Sequence, residues 1–432
     1  MTHIREFILF GVLAVLIGIL VLWLSPVGTI QILALASAYA LIALGLNVQW
    51  GYGGLFNFGV MGFLMLGGFG VVFASYPINE SFWGSDGPML LGRAAIAAAF
   101  GAVIIIAAAK SEKFGLGKRS RMFALVVAWA VAYIVYRSQI DPAVAYIEGE
   151  VEQGFVGGLG LHAIFGWALG GVFAGAVAYV IGKICLGLRT DYLAIATIGI
   201  AEIIRALIKN MDWLTRGTLT VSPVPWPVPT QADLAASGLE DLSLITARSM
   251  YLVLTLLVIV VIFLLLQRAY YGPWGRMMRA IRDNHIAAGS MGKDVKRRQI
   301  EIFVLGAALM GIGGSILTTY VQIFDPGGYQ PINHTFIVWV MIIVGGAGNN
   351  LGALFGGVFI YIVWTISDPI AEFIFRNLSE FSDGMGWGAI PDVQSRALQM
   401  RVFVLGLVIT IALRYAPQGL IPERIGGAKA ED

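Results

Sequence analysis

Apolar residues run along this chain in blocks, and polar breaks separate them. A helix needs about 20 mostly apolar residues to cross a bilayer. Blocks of that kind lie near 7–24, 30–50, 55–74, 89–109, 122–136, 164–187, 193–208, 249–266, 302–320, 335–348, 351–367 and 398–413. They predict an all-α integral membrane protein, a polytopic bundle of about 10–12 transmembrane helices. Arg5 ahead of the first block resembles the start of a secretory leader. The stretch "LVLWLSPVGT" offers no convincing small-residue cleavage site, so the block is expected to stay as a helix.

The basic residues give these blocks a direction. With the N-terminus and C-terminus both in the cytoplasm, nineteen of the 28 Lys and Arg fall inside, six outside and three within helices, as the positive-inside rule requires. The model leaves three long outer loops, 137–155, 209–248 and 368–397, which carry most of the acidic residues.

Composition sharpens the class and removes others. The chain of 432 residues is 58% hydrophobic and 12% charged, with a mean hydropathy of +0.81, so the lipid bilayer and not an aqueous core organises it. A net charge of +2 argues against nucleic acid as a partner. The single Cys185, in an apolar block, excludes a disulfide framework and a cysteine metal site. His3, His162, His285 and His334 are dispersed, without the spacing of a metal site. With no phosphate-binding loop, nucleophile elbow or acid–base pair, the chain is not expected to be an enzyme or to hydrolyse ATP itself.

Glycine and asparagine mark two places inside the apolar sequence. Many of the 55 Gly recur at three- and four-residue spacing, as in "GAALMGIGGS", which lets helices approach closely. "LNVQWGYGGLFNFG" (46–59) and "VGGAGNNLGALFGG" (344–357) add Asn to Gly. Irregular backbone at membrane depth is tolerated where it is buried in protein or lines a wet cavity. Gly51, Gly53 and Gly54, with Gly345, Gly346 and Gly348, are candidate helix breaks beside a translocation path, and Asn47, Asn57, Asn349 and Asn350 would supply amides there. The plainer alternative is a tight turn between helices at each place.

A charge at the centre of a crossing helix costs about 2.5–3.5 kcal/mol or more, so Glu202 and Arg205, three residues apart in "TDYLAIATIGIAEIIRALIKN", are a second candidate. They read either as a polar post beside the path or as a local ion pair near the outer end. Arg93 and Arg401 are expected to snorkel from helix ends. The stretch "SPVPWPVP" (222–229) is expected to be extended, as an ordered spacer or a docking lip in the outer loop.

The densest basic run, "RAIRDNHIAAGSMGKDVKRRQIE" (279–301), lies in a predicted cytoplasmic loop, 267–300. From Gly275 it predicts a short helix with Met278, Ile281, Ala288 and Met291 on an apolar face, ended by Gly292, with Asp294 capping the next crossing helix. Such a helix fits a protein groove or an anionic lipid surface equally well.

Five blocks carry a family resemblance, in order: "ALGLNVQWGYGGLFNFGVMGFLMLGGF", "TDYLAIATIGIAEIIRAL", "GRMMRAIRDNHIAAGSMGKDVKRRQIEIFVLGAALMGIGGSI", "IIVGGAGNNLGALFGG" and "YAPQGLIP". They resemble the LivM-type permease subunits of branched-chain amino acid ABC importers. The resemblance implies a type II ABC importer-like fold, a single permease domain over 1–432 that forms half of a translocation pathway for branched-chain amino acids. It implies a LivH-like second permease, two cytoplasmic ABC ATPases that hold ATP and Mg, a periplasmic solute-binding protein, and residence in the bacterial inner membrane. Carried onto this chain, residues 279–292 become the helix that couples to an ATPase. Arg279, Arg282 and Asp283 would make rim contacts, and Ile281, Ile286, Ala287, Ala288 and Gly292 would shape the rest of the insert. Family members often have Glu where this chain has His285 and Gly289, and its outer loop after "AEIIRAL" differs. The region 75–155, expected to be an insertion with an extra helix hairpin, and 368–397 look long for the family. Urea and short-chain amide permeases resemble the chain in the same blocks, and an ion-coupled secondary transporter is the rival class.

Overall fold

The computed structural model describes residues 2–111, 117–238, 240 and 242–423. Helix follows helix along the chain: α1 (Thr2–Leu24), α2 (Pro26–Leu46), α3 (Val60–Ser75), α4 (Glu80–Trp83), α5 (Gly87–Ala109), α6 (Lys118–Glu150), α7 (Ala163–Cys185) and α8 (Thr190–Lys209). They continue as α9 (Asp212–Thr215), α10 (Gln231–Ala236), α11 (Ser243–Tyr271), α12 (Pro273–Asp283), α13 (His285–Ser290), α14 (Val295–Val321), α15 (Ile337–Gly345), α16 (Asn350–Gly384) and α17 (Val393–Tyr415). The described residues form no strand beyond two isolated bridges, Ile78 with Gly157 and Val221 with Phe324.

Among the described residues nine helices are long and apolar enough to cross a membrane: α1, α2 with its continuation to Tyr52, α5, α6, α7, α11, α14, α16 and α17. α3 and the stretch Ile332–Gly345 are apolar but shorter. α8 has the length, and Asp191, Glu202, Arg205 and Lys209 make it amphipathic instead of uniformly apolar. The chain is therefore a multi-pass membrane protein, and all twelve apolar blocks fall on helices. Arg5 Nη2 donates to the carbonyl of Gly419 at 3.4 Å, which brings the start of α1 and the end of α17 to one face.

α14 forms the centre, with α2, α3 and α7 packed around it, while α16 bridges α2, α15 and α17. Small residues set the spacing. A Cβ on Gly67 of α3 would collide with the backbone of Gly311 in α14, so this crossing tolerates only glycine. Polar side chains then tie the helices: Ser315 Oγ donates to the Gly67 carbonyl at 2.9 Å, Trp167 Nε1 to Thr319 Oγ1 at 3.1 Å, and Tyr251 Oη to the Ile316 carbonyl at 2.7 Å. α5 and α6 pack on each other as a hairpin, and a small cluster of Phe82, Ile147, Val151 and Trp213 holds the end at which it joins the bundle.

Several boundaries differ from those the apolar blocks predict. The proposed outer loop 137–155 is largely helix, because α6 continues through Pro142 to Glu150. The loop 368–397 shrinks to the residues between α16 and α17, because α16 runs through Pro369 to Gly384. There Glu372, Arg376 and Glu380 stand at four-residue spacing, which supports helix without apolar density. The loop 209–248 holds α9 and α10 and ends early, at the start of α11. Likewise α11 reaches Tyr271 and α14 begins at Val295, so the connection between them is shorter than the predicted 267–300. Arg401 is no snorkelling side chain: it pairs with Asp368 of α16 and lies 4.6 Å over the ring of Trp364. Lys113, Arg424 and Lys429, three of the basic residues assigned to the inner side, lie outside the described residues.

Candidate functional site

The helix begun at Pro26 does not end cleanly. Residues Asn47–Tyr52 widen into a π-helical turn, a form that in other proteins often marks functional sites. Its polar side chains reach across to the second glycine cluster. Asn47 Oδ1 accepts from Gly348 N at 2.8 Å, and its Nδ2 donates to Asn350 Oδ1 at 3.2 Å. Tyr52 Oη donates to the same Asn350 oxygen, while Asn350 Nδ2 donates to Gln267 Oε1 of α11 at 3.0 Å. Gly51 sits so close to Gly348 that no side chain fits between them. Two segments three hundred residues apart are thereby one polar knot.

The irregular chain 53–59 that leads into α3 is satisfied in the same way. Gln49 Nε2 donates to the Phe303 carbonyl at 2.8 Å, and Asn57 Nδ2 to Gln49 Oε1 at 2.7 Å. Asn57 Oδ1 takes the Gly59 N–H at 2.8 Å, and Trp339 Nε1 donates to the Asn57 carbonyl at 3.0 Å. Phe58 N and Met61 N find the hydroxyls of Thr197 and Thr335 at 3.0 and 3.1 Å. Thus the break costs few unpaired groups, which is what lets non-helical backbone persist at such a place.

Below the knot lies the basic stretch. It forms two helices and not one: α12 stops at Asp283, and Asn284 starts α13 by accepting from the N–H groups of Ile286 and Ala287 at 3.1 and 3.0 Å. Asn284 competes for the backbone as asparagine does at an N-cap, which breaks the single predicted helix. Met278, Ile281 and Ala288 are buried as expected, whereas Met291, which follows the end of α13, is 81% exposed. Ile286 is also exposed, Gly292 ends the pair with φ 78°, and Asp294 caps α14 by accepting from Arg297 N at 3.1 Å.

Arg282 connects α12 to the knot. Its Nη1 donates to the Gly51 carbonyl and stands 2.9 Å from Glu423, while its Nε is 3.2 Å from Asp283. Burial works against its charge, but the carboxylates of Glu423 and then Asp283 outweigh it and hold the guanidinium pKa above its ordinary value. Gly54, at φ 64°, packs against the Arg282 side chain. Tyr270 Oη donates to Glu423 at 2.6 Å and carries Arg279 over its ring at 4.5 Å.

Glu423 is delivered by a hook that follows α17. Leu420 N and Ile421 N donate to the carbonyls of Val344 and Gly345 at 2.7 and 2.9 Å, and Asn349 Nδ2 donates to the Pro422 carbonyl at 3.1 Å. Gly346, at φ 119°, leaves room for Gly419 and Ile421. A cavity of 730 Å³ opens beside the junction, between Gly53, Gly54, the turn from Leu186 to Asp191, and Arg282 and His285.

The structure brings together most of the predicted residues: Asn47, Gly51, Gly53, Gly54, Asn57, Gly345, Gly346, Gly348 and Asn349 meet at one end of the bundle, with Arg279, Ile281, Arg282 and Asp283 against them. Ala287 and Ala288 follow in α13. Glu202 and Arg205 are elsewhere, toward the opposite end of α8, where they pair at 3.2 Å and Arg205 donates to the Tyr329 carbonyl at 3.0 Å. Gln49, Tyr52, Gln267, Tyr270 and Glu423 belong to the junction and were not singled out from sequence. Among the described residues no group of three His, Cys, Asp or Glu could hold a metal ion.

Comparison with known proteins points the same way. A family model described as the permease component of branched-chain amino acid transport systems matches residues 28–143 and 125–413. The chain is 24% identical over 267 residues to the high-affinity branched-chain amino acid transport system permease protein LivM of Escherichia coli (strain K12), covering 59% of this chain and 56% of the relative. It is 23% identical over 257 residues to a probable LivM of Methanocaldococcus jannaschii, covering 59% and 67%. It is 23% identical over 232 residues to the LivH permease of E. coli (strain K12), covering 54% and 70%. The match thus spans a little over half the length of the E. coli LivM relative. No solved structure matches the chain. Over residues 28–413, which include both glycine–asparagine breaks, the chain belongs to the family of permease components of branched-chain amino acid transport systems.

Proposed function

We propose that this chain is a permease subunit of an ATP-binding-cassette importer that carries branched-chain amino acids across the bacterial inner membrane, with both ends in the cytoplasm. It forms half of the pathway beside a LivH-like second permease. Two cytoplasmic ATPases, which hold ATP and Mg, drive it, and a periplasmic binding protein supplies substrate. α12 and α13 are the segment seated on one ATPase.

The observation that carries this reading is the triple engagement of Arg282, with Gly51 of the π-turn, Glu423 of the hook and Asp283 of its own helix. A displacement of α12 would be passed at once to the 47–59 break and, through the hook, to the 344–350 turn. Rigid motion of packed elements about such a contact is a known way to relay a local push. The family match and the LivM and LivH relatives support the substrate class.

The test is ATP-driven uptake of labelled leucine by the complete transporter in proteoliposomes, with excess unlabelled isoleucine, valine, urea or acetamide as competitors. Isoleucine and valine are expected to compete, and urea and acetamide are not. The combination Arg282→Glu with Ala288→Trp is expected to abolish uptake while the subunit stays inserted. Undiminished uptake would refute the assignment of α12 and α13.

A further inference from the structure

A groove of 520 Å³ lies between the last turns of α7 and the first turns of α14, on the junction side of the bundle. Its wall is apolar. Ile300 and Val304 of α14 pack toward Gly182 and Gly175 of α7, each within 3.6 Å of where a Cβ would stand. Exposed Val172, two turns before Tyr179 on the same face of α7, and exposed Leu305 of α14 stand beside the groove, and Tyr179 lies half-exposed within it. α2 and α3 cover α14 on its other sides, and exposure beside its seam with α7 is seen at Leu305 and Tyr179.

The rim of the groove is cationic. Lys183 stands 4.4 Å over the Tyr179 ring, and Lys296 and Arg297 line the same edge. Two carboxylates are also present, and both are engaged. Asp294 caps α14 through Arg297 N at 3.1 Å, and Glu301 is held by Arg297 at 3.4 Å and Arg298 at 2.7 Å. Lys183 and Lys296 are exposed, and among the described residues neither has a carboxylate within ion-pair distance. A surplus of positive charge at the mouth of an apolar groove that faces the membrane matches one kind of molecule: an anionic head joined to a hydrocarbon tail.

We propose that this groove binds an anionic phospholipid, its phosphate held by Lys183 and Lys296 and an acyl chain laid along Ile300, Val304 and Tyr179. The seam begins at the first turn of α14, directly after α13, so the bound lipid braces the helix that leaves the junction.

The test uses the full chain in detergent with added phosphatidylglycerol or phosphatidylcholine, read by native mass spectrometry. Retention of phosphatidylglycerol over phosphatidylcholine is expected, and Lys183→Gln with Lys296→Gln should lower that preference on the order of tenfold. Val304→Trp fills the apolar part with the lysines intact and should lower retention as well. A charge-matched control, Lys110→Gln with Lys209→Gln, should leave it unchanged. The proposal is overturned if both groove variants retain the lipid, if the control loses it equally, or if excess inorganic phosphate displaces it, which would make the site a phosphate site only.

Discussion

Arg282 of α12 stands 2.9 Å from Glu423 of the C-terminal hook, and the same guanidinium donates to the carbonyl of Gly51. One side chain therefore joins three segments that are remote in sequence: the π-turn, the surface helix and the last described residues. Both partners are largely sheltered from water, with 21% and 13% of their side chains exposed, so the pair is not a loose surface contact.

Charge removal at either end is expected to destabilise the junction. Glu423→Gln leaves an oxygen for Tyr270 but strips Arg282 of its main counter-charge, at a cost of about 2–3 kcal/mol, less than for a fully buried pair. Arg282→Glu is expected to be worse, since it also sets two carboxylates against each other. The exchange Arg282→Glu with Glu423→Arg should recover part of the loss and not all, because the Gly51 carbonyl keeps no donor. Thermal unfolding in a single detergent and leucine uptake measure the two halves of this expectation. Full recovery by the exchange would deny Gly51 any part.

Two glycines separate backbone conformation from crowding. Gly386, at φ 79°, has open space where a Cβ would go, so Gly386→Ala should cost about 1 kcal/mol. Gly346, at φ 119°, faces the Ile421 carbonyl and Gly419, so Gly346→Ala should cost about 3 kcal/mol or more. The measurement is the difference in melting temperature, and equal shifts would show that the hook yields.

Much of the fold is legible in the apolar pattern because each crossing must carry its own lipid-compatible length, and all twelve blocks fall on helices. Boundaries are less legible. Nothing in the pattern separates Pro142 and Pro369, which sit inside helices, from a proline that ends one, and hydrogen bonds such as Ser367 Oγ to the Val363 carbonyl at 2.6 Å appear only in three dimensions. The glycine–asparagine clusters announce themselves by composition, but their meeting does not, since Asn47 and Asn350 are joined by geometry alone. Glu423 looks like an ordinary charge at the chain's end until the hook places it against Arg282. The break at Asn284 had a local signal, an asparagine before a short helix, outweighed by the apolar spacing of Met278, Ile281, Ala288 and Met291.

Glu202 and Arg205 lie on a helix that leans on α3 and leaves much of its surface open. The pair is partly exposed, so Glu202→Gln should change stability by no more than about 0.5 kcal/mol. Arg205→Ala also removes a donor from the Tyr329 carbonyl and should cost about 1–2 kcal/mol. If α8 borders the pathway, Glu202→Gln lowers uptake severalfold despite that small change in stability. Normal uptake would leave the pair a local tie.

The α5–α6 hairpin is expected to be dispensable for folding. Its two stems are already joined, since Asn79 Nδ2 donates to the carbonyls of Glu152 and Phe155, each at 2.9 Å. Replacing residues 80–151 by a short Gly-Ser link should therefore leave a monodisperse protein that unfolds cooperatively. Aggregation of the shortened chain, with the full chain stable, would show that the bundle leans on the hairpin.

The bond from Arg5 to Gly419 carries a consequence for sidedness. If the segments that touch this way share one aqueous compartment, the described chain between them crosses the bilayer an even number of times. The nine long helices together with α3, α8 and the Ile332–Gly345 stretch satisfy that parity. Thiols introduced at Glu6 and at Gln418 would then react with a membrane-impermeant maleimide from the same side, against a quiet background, because the native Cys185 is buried.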